Sequence, residues 1–216
     1  TINTNVLSLN AQRNLGTSQS AMQLAVQRLS SGLRVNSSKD DAAGLAIAER
    51  MSAQVRGMNV AIRNANDAIS FSQVADGALG QLADIAQRMR ELAVQSANAT
   101  NTSADRDNLN TEYQQLALEL TRTTNGAKFN GQAVLTGTAT LTFQVGASNT
   151  TVDKIDVTGV DLTSGGELTS VTAGAINGAT SASALAAMDN IDALLTRIAT
   201  ERATYGAIQN RFSSVI

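Results

Sequence analysis

The run Ala48-Glu-Arg-Met51-Ser-Ala-Gln-Val55-Arg-Gly-Met58-Asn-Val-Ala-Ile62-Arg-Asn-Ala65-Asn-Asp-Ala-Ile69 decides the class of fold. Its apolar residues Ala48, Met51, Val55, Met58, Ile62, Ala65 and Ile69 follow one another in alternating steps of three and four, the heptad spacing that lays side chains along one face of a helix. The register resumes through Val74, Ala78, Leu82, Ile85, Met89 and Leu92, with a stutter around Ala78 that relaxes a supercoil. One helix from Ala43 to Ser96 would be about 80 Å long. On the expectation that an apolar stripe faces its own core first, Met51, Val55, Met58, Ile62 and Ile69 are read as bundle core.

Upstream, Ala11, Leu15, Met22, Ala25 and Leu29 make a narrower stripe between Val6 and Leu33. A lone striped helix of that length is marginal in water, so it needs a partner that this sequence does not supply. Arg34-Val-Asn-Ser-Ser-Lys-Asp-Asp41 interrupts the two stripes with turn and cap formers. Ser38 and Asp41 have the spacing of a variant capping box. Downstream, Asn98 to Ser103 reads as a polar turn, and Leu109, Tyr113, Leu116 and Leu120 stripe a helix from Ala104 to Thr123 that returns antiparallel.

Asn125-Gly126 and Asn130-Gly131 stop helical structure. Leu141, Phe143 and Val145 alternate as a half-buried strand does, with Ile155 and Val157 as its partner. Thr158 to Ser183 is rich in Gly, Ser, Thr and Ala and is expected to be loop or weak strand without a core of its own. A last helix starts near Ala184, with Met188, Ile191, Leu195, Ile198, Tyr205 and Phe212 in phase. Leu116, Leu120, Leu195 and Ile198 complete the expected bundle core. The fold class is mainly α: a long helical coiled-coil bundle with a small β-hairpin insertion.

Composition excludes much chemistry. The 216 residues include no His, Cys, Trp or Pro, and 16 Lys+Arg stand against 18 Asp+Glu. Without imidazole or thiolate, the usual general base, nucleophile and zinc ligands are missing, so no enzyme, metal or cofactor is expected. A net charge of -2 and six aromatics scattered along the chain argue against nucleic acid. No apolar run is long enough to suggest a membrane span, and no cleavable signal peptide is legible. Adjacent Asp40 and Asp41 point in different directions and read as helix caps.

The ordered motifs Ile2-Asn-Thr-Asn-Val-Leu-Ser-Leu9, Arg28-Leu-Ser-Ser-Gly-Leu-Arg-Val-Asn-Ser-Ser-Lys-Asp-Asp-Ala-Ala-Gly44, Arg63-Asn-Ala-Asn-Asp67, Arg90-Glu-Leu-Ala-Val-Gln-Ser-Ala-Asn98 and Phe129-Asn-Gly131 resemble bacterial flagellin. The likeness is strong over residues 1–135, and residues 184–216 resemble the start of that family's C-terminal region. The resemblance implies a structural subunit of the flagellar filament, exported without a cleavable signal peptide and polymerised outside the cell into a tube for swimming. Its partners would be other flagellin subunits, the export apparatus, a chaperone and the cap. It implies an inner-tube helix over 1–33, an elbow over 34–44, bundle over 45–135, a very short variable insertion over 136–183 and a returning helix over 184–216. It also implies a further C-terminal helix after Ile216, so the chain reads as a C-terminally truncated flagellin. The alternatives are a hook-filament junction protein and a secretion-system tip protein or adhesin built on a coiled coil.

Two sets of residues match the positions by which the family is sensed by hosts. Arg88, Leu92, Gln95 and Glu112 match those contacted by the vertebrate Toll-like receptor. The first three are spaced to lie on one helix face, although Leu92 also continues the apolar phase. Gln27, Arg28, Leu29, Gly32, Arg34, Asn36, Lys39, Asp40, Asp41, Gly44 and Leu45 belong to the segment that resembles the peptide sensed by a plant receptor kinase.

Overall fold

The computed structural model describes residues 5–216; Ile2, Asn3 and Thr4 of the opening motif, and residues 1–4 of the expected N-terminal helix, lie outside the described residues. The chain separates into two compact units, residues 1–56 and 57–216.

In the first unit α1 runs Val6–Ser31. The Asn5 side chain accepts the Leu7 and Ser8 backbone N–H groups at 3.2 and 3.3 Å, satisfying amides that a helix start leaves free. Gly32 ends the helix in the left-handed region at φ 68°, its N–H bonded to the Arg28 carbonyl. None of the residues of α1 is buried: Leu15, Met22 and Leu29 are 61, 67 and 85% exposed. In the elbow, the Asp40 carboxylate accepts the backbone N–H groups of Asn36 and Ser37. The expected Ser38–Asp41 capping box is replaced by Asp41 acting directly as the cap of α2, Ala42–Ala97. Its carboxylate accepts the Gly44 N–H at 2.8 Å, satisfying an amide that the helix start leaves free.

The second unit is built on the remainder of α2. The Thr102 hydroxyl and Asp105 carboxylate form a reciprocal capping box that starts α3, Ser103–Gly126. Ion pairs report the helix directions: Arg88 of α2 meets Glu112 of α3, whereas Arg90 and Asp76 of α2 meet Asp192 and Arg202 of α5, Ala182–Ser213. Along α2 the partner numbers in α5 fall as the α2 numbers rise, and Glu112 and Arg106 of α3 meet Arg88 and Ser96 of α2 in the same falling order, so both neighbours run antiparallel to α2. Two short antiparallel hairpins follow α3: β1 (Lys128–Phe129) with β2 (Gln132–Ala133), and β3 (Thr140–Gln144) with β4 (Lys154–Thr158). Leu141 pairs with Val157 and Phe143 with Ile155, putting the alternating apolar residues of both strands on one face.

The core differs from the expectation in three ways. Met51, Val55, Met58 and Ile62 are 60, 59, 59 and 40% exposed, so they are not bundle core. Heptad spacing specifies which residues share a face, not whether another element covers it. The buried face of α2 begins at Ala61 and proceeds through Ala65, Ala68, Phe71, Ala75, Leu79, Leu82, Ala86 and Met89. Its many alanines let neighbouring backbones come close. Ile69, Leu116 and Leu195 pack half-buried on its edge, while Leu120 and Ile198 are fully inside. Leu194, rather than Leu195, is the more deeply buried of that pair in α5.

Second, the segment expected to be loose contributes to the core. Residues Glu167–Thr172 form a short helix, α4, and Val160, Leu162, Leu168, Val171 and Ile176 are buried in the main apolar cluster. Isolated apolar residues among polar ones carry no period, so tertiary packing determined their burial. Third, aromatics scattered in sequence meet in space. Phe71 lies against Phe129, Phe143 and Tyr205 at ring separations of 5.8, 6.2 and 6.4 Å, and Phe143 meets Phe212 edge-on at 5.6 Å. Burial pushes the Tyr205 hydroxyl up to about 12, with the charge of Glu201 acting in the same direction. Among the described residues that hydroxyl completes no hydrogen bond of good geometry, although the Val160 backbone lies close enough to offset part of the upward push.

Candidate interaction surfaces

On the outer face of α2 and α3, Arg88 donates from Nε and Nη2 to one oxygen of Glu112, at 3.1 and 2.8 Å, and from Nη1 to Glu91 at 2.9 Å. Hydrogen bonding to Glu112 first, then to Glu91, raises the Arg88 guanidinium above its ordinary value. Both carboxylates and the guanidinium remain about half exposed or more, a display of charge at the surface. Gln95 is exposed as well. Leu92 departs from the expected exposed face: it is 1% exposed and packs in the core beside Met89. The physical reason is the helical step. Leu92 lies in phase with Ile85 and Met89, and the element that covers Met89 covers it too. Arg88, Gln95 and Glu112 are therefore brought to the surface and Leu92 is not.

The segment from Gln27 to Leu45 lies in the first unit. Gln27, Arg28, Leu29, Gly32, Arg34, Asn36, Lys39 and Asp40 are exposed; Asp41, Gly44 and Leu45 are half-buried around the α2 cap. Asp40 has a use beyond surface charge. The Asn36 N–H first, then Ser37 and the charge of Arg28, hold its carboxyl below its ordinary value of 3.8. A turn is thus stabilised by an ionised side chain.

One residue with a clear structural assignment was overlooked in the sequence. Arg106 is 4% exposed, and its guanidinium donates to the carbonyls of Ser96, Gly178 and Asn98 at 2.9, 3.3 and 3.3 Å. It ties the α2–α3 turn to the loop before α5. Nearby, Ser96 donates to the Ile176 carbonyl, and Ile176 N–H donates to the Asn110 side chain at 2.9 Å. A signal existed: Arg106 stands in phase with Leu109, Tyr113, Leu116 and Leu120, where a cation on an apolar stripe needs a polar socket.

Among the described residues no three His, Cys, Asp or Glu side chains are gathered to hold a metal, and no helix is long and apolar enough to cross a membrane. Packed helices with ion-paired outer faces define a mainly helical protein. Residues 2–140 match the family model for the bacterial flagellin N-terminal helical region. The chain belongs to the flagellin family. It is 45% identical to a flagellin of Halalkalibacterium halodurans over 216 residues, all of this chain and 78% of that protein. It is 53% identical to a flagellin of Salmonella paratyphi A over 156 residues, 72% of this chain and 32% of that longer protein. The chain thus spans about a third of the Salmonella relative. The crystal structure of Bacillus cereus flagellin superimposes with a TM-score of 0.60 at 32% identity, covering 70% of this chain and 85% of that one.

Proposed function

We propose that the chain is a structural subunit of the bacterial flagellar filament, exported without a cleavable signal and polymerised outside the cell for motility. The observation that carries this beyond family membership is α1. It is a helix of 26 residues with an apolar stripe and no buried residue. A helix of that kind is stabilised by packing its stripe, which here invites other copies. In this reading residues 1–33 form the inner-tube helix, 34–44 the linker, 45–135 and 184–216 the bundle, and 136–183 the variable insertion. Neighbouring subunits, the export apparatus, its chaperone and the cap are the bacterial partners.

Seeded growth, followed by light scattering and electron microscopy, tests it. The chain is compared with a version extended by the C-terminal helix that the flagellin resemblance implies. Filaments from the extended chain are expected. Failure of both to elongate seeds overturns the filament-subunit role and favours a junction or tip protein.

The same surfaces support a role as an innate immune ligand. Arg88, Gln95 and Glu112 form the contact set for a vertebrate Toll-like receptor, while Leu92 supports the helix beneath them. Gln27 to Leu45 form the epitope of a plant receptor kinase. In a receptor reporter assay Arg88→Ala and Glu112→Ala are expected to lower potency with the fold intact. Unchanged potency in both removes this surface from the receptor contact.

A further inference from the structure

Asparagine is followed by glycine three times, at Asn125-Gly126, Asn130-Gly131 and Asn177-Gly178. Glycine leaves its own peptide nitrogen open to approach by the preceding side-chain amide. The three pairs stand in different surroundings. Asn125 and Gly126 lie within the last turn of α3. Asn130 and Gly131, with φ 49° and 81°, form the reversal between β1 and β2, and the Phe129–Gln132 pairing holds them in that conformation. Asn177 and Gly178 are exposed and outside any helix or strand, and the Gly178 N–H has no hydrogen-bond partner among the described residues.

We propose that Asn177 is a self-modifying site, converted through a succinimide to aspartate and isoaspartate with the help of Ser183 and Arg106. The Gly178 nitrogen loses its proton to solvent and bonds to Asn177 Cγ. The Cγ–Nδ2 bond breaks and Nδ2 leaves as ammonia after taking a proton from solvent. Water then opens the ring. Cleavage of the bond from nitrogen to Cγ gives aspartate, and cleavage of the bond from nitrogen to the main-chain carbonyl carbon gives isoaspartate. No oxidation or reduction occurs, and water is the sole co-reactant.

Two neighbours favour the step. Ser183, in the first turn of α5, donates its hydroxyl to the Asn177 carbonyl. That bond draws electron density from the same peptide group whose nitrogen attacks, so its N–H becomes more acidic. Arg106 donates to the Gly178 carbonyl and so places a positive charge on the residue whose nitrogen attacks. Arg106 itself is buried with carbonyl partners and no carboxylate partner among the described residues. Conversion of Asn177 places an anion one residue from the carbonyl this cation holds, so that negative charge developing in the reaction is favoured by the same guanidinium. The reaction therefore belongs to the folded chain rather than to the dipeptide alone.

The test is incubation of the folded chain in mildly alkaline buffer, followed by peptide mapping that separates aspartate from isoaspartate at each of the three sites. Asn177 is expected to convert roughly fivefold faster than Asn125 or Asn130, and faster folded than in urea. Ser183→Ala is expected to slow Asn177 severalfold at unchanged helix content, while Ser183→Thr, which keeps the hydroxyl, retains the rate. Conversion at Asn177 that is no faster than at Asn130, or that speeds up in urea, overturns the proposal independently of how Ser183→Ala folds.

Discussion

The stripe of α1 and the face of α2 that runs Ala61, Ala65, Ala68, Phe71, Ala75, Leu79, Leu82, Ala86 and Met89 are written in the same code, apolar residues three and four apart, yet the first is wholly exposed and the second nearly dry. Phe71, Leu79, Met89 and Leu92 are at most 2% exposed, because α5, the hairpins and α4 contribute to the same cluster. Met51 and Val55, on the same helix as Phe71, are about 60% exposed. Spacing thus makes a face available, and a covering element turns that face into stability.

The comparison is broken most directly at its two extremes. Phe71→Ala is expected to lower the unfolding free energy of residues 57–216 by about 3–5 kcal/mol, whereas Val55→Ala should change stability by no more than about 0.5 kcal/mol. Urea denaturation of both variants decides it; equal losses would mean that Val55 is covered after all. Next in size is Arg106→Ala. It leaves the Ser96, Asn98 and Gly178 carbonyls without their donor, at a cost of about 2–3 kcal/mol. Hydrogen exchange should localise the loss to the Ile176 amide and the α2–α3 turn.

Smaller effects sharpen the first unit. Asp41→Ala removes the cap on Gly44 and should weaken the start of α2 by about 1 kcal/mol, visible as faster amide exchange at Gly44. Exchange confined to that turn would show how little of the first unit depends on it; a global loss of stability would show coupling to the core. Smallest is the pH effect at Asp40. Its carboxyl is held below 3.8 by the Asn36 and Ser37 amides and Arg28. The stabilisation is therefore present above the unfolded value and is lost as pH falls through the lower folded one. Asn36 and Ser37 amide resonances should shift in that acid window and not near neutrality. Asp40→Asn should abolish the transition.

Much of the fold was legible because it was periodic. Heptads in α2, α3 and α5 and alternation in β3 and β4 are local patterns with local causes. What escaped was non-local. Val160, Leu168 and Ile176 follow no period, yet they are drawn into the core, and the five clustered aromatics come from α2, both hairpins and α5. The candidate receptor set divided in the same way. Arg88 and Glu112 could be placed on exposed faces from sequence, whereas the burial of Leu92 depended on what packed against Met89.

By itself the sequence determined the four long helices, the two strands of the larger hairpin, the lack of His and Cys chemistry, and the motifs that mark a flagellin. The tertiary structure alone decided which stretch of each stripe is buried, where Arg106 finds its three carbonyls, and which Asn-Gly pair sits beside a buried cation. The physical reason is range. Backbone hydrogen bonds and side-chain spacing act over a few residues, while burial depends on segments that lie distant in sequence and are brought together only by the completed fold.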